Sequence, residues 1–246
     1  LRRRCLLHLL ARGFLLEKIM KSITREEWDE MSWLEKTMWL EHNRPANAKS
    51  VSIRSLKLGA GINDANYCVS PKLSKSRTAC PAYVAWSNVI IRCYDKNYHA
   101  KKPTYIGVKL CDEWHKFSSF REWWIKHHVD GWQLDKDLLG NSKIYSPDNC
   151  IYVPSWLNSF NTDRAALRGK WPIGVRLHKE PNTFESRCRN PITRKSIHLG
   201  LFDSPVDAHY AWVECKTNLA IELRPQMDRI HHGLFHGVMK AIKEAI

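Results

Sequence analysis

The sequence lacks two features that would assign it to a common class of protein. Its eight cysteines include no Cys-x-x-Cys pair, so a structural zinc site of the usual spacing is unsupported. Single cysteines scattered through a chain of this size are typical of buried thiols in a reducing cytosol. No apolar run reaches the roughly 18 residues of a membrane-spanning helix, and we therefore expect no membrane partner.

Acidic residues are scarce relative to basic ones. The 246 residues contain 25 Asp and Glu against 39 Lys and Arg, which gives a formal net charge of +14. An excess of this size favours a polyanionic partner, and nucleic acid is the usual one. The hydrophobic fraction of 43% and the eleven Trp exclude wholesale disorder and indicate one large or two small domains with aromatic-rich cores.

The first third of the chain has two parts. Residues 1–45 are predicted to be a helical extension, in which Thr24 and Glu27 have capping-box spacing ahead of an amphipathic pattern. Within it, residues 1–19 are interpreted as an extension upstream of the folded protein. Residues 46–79 are predicted to be an extended basic linker, which either follows a phosphate backbone or is a passive tether.

Residues 80–168 alternate between helices and short strands. The stretch YVAWSNVIIRCYD predicts a helix with one apolar face, and PTYIGVKLCDEW predicts a short strand that leads into the helical HKFSSFREWWIKHH. Residues 133–160, QLDKDLLGNSKIYSPDNCIYVPSWLNSF, predict a strand, a turn, a second strand over Ile144–Val153 and a helix after Pro154.

Residues 169–225 have a different pattern. Three short alternating segments, IGVRLHK, TFESRCR and KSIHLGLF, predict strands that are separated by turns at EPN and NPIT. A helix follows, capped by Asp203 or Ser204, and residues 226–246 predict a further C-terminal helix. The expected fold class is α+β, with a three-stranded antiparallel sheet packed on one helix.

The segment 133–160 contains oxygen ligands of the kind that phosphodiester cleavage needs. A divalent cation stabilises charge on the scissile phosphate, and magnesium accepts one carboxylate plus an amide oxygen while keeping several waters. Asp135 on a strand and Asn158 on the following helix supply such a pair if the two elements pack together. Asn149 is placed to tie the connecting loop by hydrogen bonds. On spacing alone, a plain surface hairpin explains the same residues.

The motifs LDKD, YSPDNCIYVP and SWLN, in that order, resemble the ββα-metal core of HNH endonucleases, in the divergent form common among phage-encoded enzymes. The resemblance covers roughly residues 80–162 and implies a Mg²⁺ or Mn²⁺ site. It implies that Asp135 and Asn158 bind the metal and that Asn149 holds the loop. Lys136 occupies the position of the family's general-base histidine.

A lysine in that position departs from the family's pattern. The carboxylates of Asp135 and Asp137 on either side favour the charged form of Lys136, so it suits a phosphate clamp better than a base. His127 and His128 lie a few residues upstream and are alternative sources of an imidazole; a solvated pair at a helix end is the competing interpretation.

Residues 171–217 resemble an AP2-type DNA-binding domain in the initial GVR, the LGLF strand and the helix with AHYAW. The resemblance implies a three-stranded sheet whose exposed face lies in the major groove. Alternation along the strands places Val175, Leu177 and Phe184 on an apolar face against the helix. The opposite face is predicted to contact DNA through the following residues: Arg176, His178, Arg187, Arg189, Arg194 and Lys195.

Together these patterns predict a sequence-specific, metal-dependent DNA endonuclease of the homing type. We expect it to bind double-stranded DNA as a monomer, in the cytoplasm of a phage-infected bacterial cell. The alternative is a DNA-binding protein with a decayed nuclease core, acting as a regulator or architectural factor. Lys136 in the histidine position favours the alternative.

Overall fold

The computed structural model describes residues 23–73, 76–140, 143–161 and 170–245. The extension predicted at residues 1–19 lies outside them. The chain mixes helix and sheet, at 49% and 16% of residues, and contains a three-stranded antiparallel sheet, so the α+β class is confirmed. The HNH-like core stays a prediction. Within the described residues, no helix combines the length and apolarity needed to cross a membrane.

The helices and strands of the described residues are short, apart from one long C-terminal helix. The α-helices are α1 Arg25–Glu30, α2 Trp33–Asn43, α3 Ala48–Ser52, α4 Pro81–Tyr94, α5 Lys96–Lys101, α6 Phe117–His127, α7 Ser155–Asn161, α8 Pro205–Ile230 and α9 Leu234–Lys243. The strands are β1 Lys72–Leu73, β2 Ser76–Arg77, β3 Lys109–Leu110, β4 Gln133–Asp135, β5 Ile144–Tyr145, β6 Ile151–Val153, β7 Val175–Leu177, β8 Phe184–Arg189 and β9 Ser196–Phe202.

The chain divides into two compact units. The first contains Leu1–Asp130 and Lys143–Ser146, and the second contains Gly131–Ser142 and Pro147–Ile246. This division differs from the boundaries expected from the sequence, because the hairpin of β4 and β6 is grouped with the C-terminal sheet. The expected boundary between residues 225 and 226 falls inside α8, which continues through Pro225 to Ile230.

The first unit begins with two capped helices where the sequence predicts a single amphipathic helix. The predicted capping box is present: Thr24 Oγ1 accepts from Glu27 N at 3.2 Å, and the Glu27 carboxylate accepts from Thr24 N. A second capping box of Ser32 and Glu35 starts α2. Ser32 satisfies the free N–H groups of a new helix, so the chain breaks after α1 instead of continuing.

The stretch predicted to be an extended linker is folded in the first unit. The Arg54 guanidinium donates to the carbonyl oxygens of Asn63, Ala65 and Tyr67 at 2.6–3.2 Å. Tyr67 is fully buried, and its hydroxyl contacts the Cys80 thiol at 3.3 Å. An arginine that satisfies several main-chain carbonyls organises a chain without regular structure, which hydropathy patterns do not show.

The predicted strand over Ile144–Val153 is two strands that pair with different partners. β5 pairs in parallel with β3 in the first unit, and β6 pairs antiparallel with β4 in the second. In the second pair, Asp135 is opposite Ile151. The turn residues between them, Ser146–Cys150, end one pairing and begin the other. Helix α7 follows Pro154, as predicted.

The second unit contains the sheet of order β7-β8-β9, antiparallel throughout as predicted. Ser204 is the helix cap, since its hydroxyl accepts from Val206 N and Asp207 N. Helix α8 then covers the apolar face of the sheet with Ala208 and Trp212. Leu177 is an exception to the predicted apolar face, because its side chain is 55% exposed at the edge of the sheet.

One hydrophobic core runs through the second unit. It joins the hairpin and α7 to the C-terminal helices through the following buried residues: Leu138, Val153, Leu157, Phe160, Trp212, Leu219, Leu223, Met227, Leu234 and Val238. Helix α9 approaches closely, since a Cβ at Gly237 would lie 1.8 Å from the Leu138 carbonyl oxygen. Only glycine fits at this position of α9.

Candidate functional site

Asp135 ends strand β4 and is 7% exposed. Its Oδ1 atom accepts hydrogen bonds from the backbone N–H groups of Asp137 and Leu138, at 2.8 and 2.9 Å. These bonds turn the chain away from the strand and hold the carboxylate in one orientation. Burial raises the pKa of the Asp135 carboxyl above its ordinary value, and the two backbone donors oppose that shift. A cation beside the carboxylate would lower the pKa again.

Asn158 on α7 lies beside the same strand. Its Nδ2 donates to Oε1 of Gln133, two residues before Asp135. Side chains two residues apart on a strand point to the same side, so Gln133 and Asp135 share a face of β4. The structure therefore brings the predicted pair, Asp135 and Asn158, to one face of the hairpin. Sequence reasoning missed Gln133, although its spacing from Asp135 is the available signal.

Asn149, near the end of the loop that joins β4 to β6, lies against Gly140 near the start of that loop. A Cβ added at Gly140 would lie 2.0 Å from Oδ1 of Asn149 and 2.8 Å from its Cγ. The amide of Asn149 therefore occupies the space beside Gly140 and packs the start of the loop against its end. This contact fits the loop-holding role that the sequence predicts for Asn149.

Asn149→Ala is expected to lower stability by about 1–3 kcal/mol, because the loop loses a packed polar contact and leaves its partners unsatisfied. Urea unfolding measures the change. Asn218→Ala, at an exposed position of α8, is the matched control and should alter stability little. An unchanged unfolding midpoint in Asn149→Ala would show that the loop does not depend on this amide.

Lys136 is buried and pairs with its neighbour. The side chain is 9% exposed, and Nζ lies 2.6 Å from Oδ1 of Asp137. The structure therefore places the Lys136 side chain against the carboxylate of Asp137, and its role as a phosphate clamp stays a prediction.

The two candidate histidines, His127 and His128, lie in the first unit and not with Asp135. His127 Nδ1 contacts the Trp123 carbonyl oxygen at 2.7 Å, and its ring stacks on Trp123 with centroids 4.7 Å apart. His128 stacks on Trp124 at 4.3 Å, and burial lowers its pKa. Both rings have structural contacts at the end of α6.

Two histidines in the connection from α8 to α9 and one on α9 belong to the same unit as Asp135. The connection lies against the hairpin loop, since a Cβ at Gly233 would be 3.3 Å from Cδ2 of Leu139. His231 and His232 stack with centroids 4.3 Å apart, and His236 is exposed on α9. Sequence reasoning did not consider these imidazoles, because they follow Asp135 by about a hundred residues.

The residues around Asp135 fit a hard, oxygen-preferring cation. A carboxylate oxygen and the amide side chains of Gln133 and Asn158 lie on one face of the hairpin. Magnesium binds such oxygens and keeps water in its remaining positions. Within the described residues, no group of three or more His, Cys, Asp or Glu is positioned to hold a metal ion. A site here would therefore depend on amide oxygens and water beside the single buried carboxylate.

A second candidate surface is the outer face of the sheet in the second unit. Five predicted DNA-contacting residues are exposed there, and we call them the basic face: Arg176, Arg187, Arg189, Arg194 and Lys195. The sixth, His178, is partly buried, and its Nδ1 accepts from Glu180 N at 3.3 Å. Arg189 Nε donates to the Arg194 backbone carbonyl oxygen at 3.0 Å, which orders the Arg189 side chain at the β8–β9 turn.

Glu185 holds the centre of the basic face. Its side chain is only 4% exposed because Arg176, Arg187 and His198 lie over it. Arg187 Nε is 2.5 Å and His198 Nδ1 is 3.0 Å from Oε1, and Arg176 Nε bonds Oε2. Sequence reasoning assigned Glu185 no role. Its position two residues before Arg187 is the signal that was available.

The hydrogen bonds from Arg176 and Arg187 hold the pKa of Glu185 at about 2, below its ordinary value of 4.5. A depressed carboxyl pKa stabilises the fold above the ordinary pKa, and this stabilisation is lost as the pH falls towards 2. Glu185→Gln is therefore expected to lower the melting temperature by several degrees at pH 7 and by progressively less below pH 4.5. Thermal unfolding across this range measures the effect.

Glu180→Gln, which removes an exposed carboxylate from the neighbouring turn, is the control. It should leave the melting temperature nearly unchanged. A deficit of Glu185→Gln that is equal at pH 7 and near pH 2 would show that packing, and not charge, accounts for it.

The two surfaces combine a buried carboxylate beside amide side chains with an ordered set of arginines. Both belong to the second unit. Comparison of the chain with protein families, with curated proteins and with solved structures found no match.

Proposed function

We propose that this chain is a divalent-metal-dependent DNA endonuclease that recognises its target through the basic face. The observation behind the proposal is the hairpin of β4 and β6 with its following helix. It places Asp135 and Asn158 on one side and packs Asn149 into the loop between the strands. This is the arrangement expected of a ββα-metal site.

Each residue has a defined role in this proposal. Asp135 and Asn158 would hold the metal, which would stabilise negative charge on the scissile phosphate and the leaving oxygen. Because both hydrogen bonds to Asp135 use Oδ1, the Oδ2 atom is the one assigned to the metal. Lys136, paired with Asp137, would place a positive charge beside the phosphate.

The basic face would position the DNA and read its bases. Arginine side chains donate to guanine edges and to phosphates, and bidentate contacts need a guanidinium held in a fixed orientation. Glu185 provides this for Arg176 and Arg187, and the Arg194 carbonyl provides it for Arg189. The net charge of +14 supports a polyanionic partner.

A second candidate function is a DNA-binding protein without catalysis. The ion pair of Lys136 with Asp137 favours it, because a lysine held by a carboxylate, and not a histidine, occupies the position that the resemblance gives to the general base. In that case the hairpin would be a scaffold, and the basic face would account for the whole function.

One experiment separates the two functions. Purified protein is incubated with supercoiled plasmid carrying a sequence selected by its binding, with Mg²⁺, with Mn²⁺ or with chelator. Nicked or linear product that appears only with metal supports the endonuclease. Retention of the plasmid with no product under any condition supports the non-catalytic binder. Failure to retain DNA at all contradicts both proposals.

A further inference from the structure

A cleft of about 540 Å³ opens in the second unit between α7 and the edge of β8. Strand β7 starts at Val175, and Arg187 N donates to the Gly174 carbonyl oxygen. Among the described residues, no strand pairs on that side with the part of β8 that follows Arg187. Residues of α7 line one side of the cleft, residues of β8 and of the β8–β9 turn line the other, and Trp212 and Lys216 of α8 also contribute. Its volume is in the range of ligand sites in proteins.

The charge of the cleft has one sign. Four of the described residues that line it are basic, namely Arg187, Arg189, Arg194 and Lys216, and none of the described lining residues is Asp or Glu. Of these four side chains, Arg187 is paired with Glu185, and the positive charge of the other three raises the electrostatic potential of the cleft and favours an anion there. A phosphate group suits it, because guanidinium and ammonium groups are its usual protein partners.

Two of the arginines are already ordered. Arg187 is held by Glu185 at 2.5 Å, and Arg189 is held by the Arg194 carbonyl at 3.0 Å. A ligand that binds ordered side chains avoids the entropy cost of fixing them. The cleft is therefore pre-organised on its β8 side.

Lys216 projects from α8 at the base of the cleft, and no role was assigned to it from the sequence. Its Nζ donates to the Phe160 carbonyl oxygen and lies 3.6 Å from the centroid of the Phe160 ring. Burial lowers its pKa to about 8, although the thiols of Cys188 and Cys215 oppose that shift. The preference for the ammonium at neutral pH is thus smaller than for an ordinary lysine, and an anion beside it would stabilise the charged form.

We propose that this cleft binds a phosphodiester group of the DNA backbone, held by Lys216 together with Arg187, Arg189 and Arg194. The inference rests on the proposed function and extends it to a new residue. It gives the DNA strand a path from the basic face across the edge of β8 to helix α7.

The same helix has the candidate metal site on another side. Ser155, Trp156, Ser159 and Phe160 form the face of α7 that lines the cleft. Asn158 lies on a different face, because successive residues of a helix are 100° apart. A phosphate in the cleft would therefore anchor the strand at the helix that also bears Asn158.

The test uses the pH dependence of DNA affinity. Besides Lys216, the charged or titratable described residues around the cleft are Cys188 on β8, Cys215 on α8, and the three arginines; α7 and α9 contribute none. Burial raises the pKa of Cys188 to about 12, and arginine stays charged, so neither titrates near pH 8. Wild-type affinity for a fluorescent duplex should therefore fall as the pH rises from 7 to 9.5. The Lys216 variants below separate the contribution of the lysine from that of Cys215.

Three variants sharpen the measurement. Lys216→Met, which keeps the apolar stem, should lose about tenfold in affinity at pH 7 and should lose the pH dependence near pH 8. Lys216→Arg should bind with an affinity that stays level over the same range. Lys243→Met removes an exposed lysine from α9 and should behave like the wild type. Thermal unfolding of each variant shows that the fold is retained.

Several outcomes would overturn the inference. If Lys216→Met and wild type have the same pH profile and affinity for DNA, the cleft does not bind the backbone, and the proposed function stands without it. If wild type binds no DNA, the proposed function itself fails. If inorganic phosphate alone produces proton uptake near pH 8 and DNA does not, the cleft binds a free anion instead of DNA.

Discussion

Asp135→Ala is expected to reduce metal-dependent DNA cleavage by on the order of 10³-fold or more, while DNA affinity stays close to that of wild type. The carboxylate would hold the metal that stabilises charge in the transition state, whereas the basic face provides most of the binding. Cleavage is measured with Mg²⁺ on a DNA duplex that contains the sequence the protein binds. Affinity for the same duplex is measured in the presence of a chelator, so that no cleavage occurs.

The control for that variant is Asp148→Ala, which removes an exposed carboxylate from the same hairpin. It should cleave at nearly the wild-type rate. If Asp135→Ala loses affinity and cleavage in parallel, Asp135 supports the fold of the hairpin and not the metal. If Asp135→Ala cleaves as well as wild type, the metal site lies elsewhere.

DNA affinity is expected to fall by on the order of 10²–10³-fold between about 50 and 200 mM salt, if the five residues of the basic face each displace a counterion. The slope of log affinity against log salt would then be about −4 to −5. Fluorescence anisotropy with a short duplex gives both values. A slope near zero would contradict phosphate binding by this face.

A single variant calibrates the slope. Lys195→Ala removes one exposed cation at the β8–β9 turn and should reduce the slope by about 1 at every DNA sequence tested. Lys126→Ala removes a comparable exposed cation from the first unit and should leave the slope unchanged. Equal effects of the two variants would indicate general attraction by net charge, and not binding by a defined face.

The elements that the sequence predicts well are those with local signals. The capping box at Thr24, the cap at Ser204 and the three alternating strands of the sheet all arise from neighbouring residues. The folding of residues 46–79 was missed, because it depends on one arginine, Arg54, that bonds carbonyls 9–13 residues away. The split of Ile144–Val153 was also missed, since a pattern of alternation does not reveal which strand each half will pair with.

The candidate site shows the same limit. Asp135, Asn149 and Asn158 were selected because the segments that contain them resemble the ββα-metal core, and the structure places them around one hairpin, although their roles stay predictions. Glu185 and Lys216 were not assigned roles, because their surroundings are formed by residues from other elements. Their burial and their partners depend on side chains that lie over them, such as Arg176 above Glu185 and Phe160 beside Lys216.

If the chain is the nuclease proposed above, the shared core of the second unit limits how its DNA target could be changed. Modular nucleases are commonly redesigned by exchanging one reader domain for another at a linker. Here the hairpin residues Leu138 and Val153 are buried by helices α8 and α9, and α8 also supports the sheet with Trp212. Exchanging the sheet for another domain, with a junction between the hairpin and the sheet, would expose the buried residues on both sides of that junction. New specificity would have to be introduced by substitution on the strands β7–β9, with the helices behind them left intact.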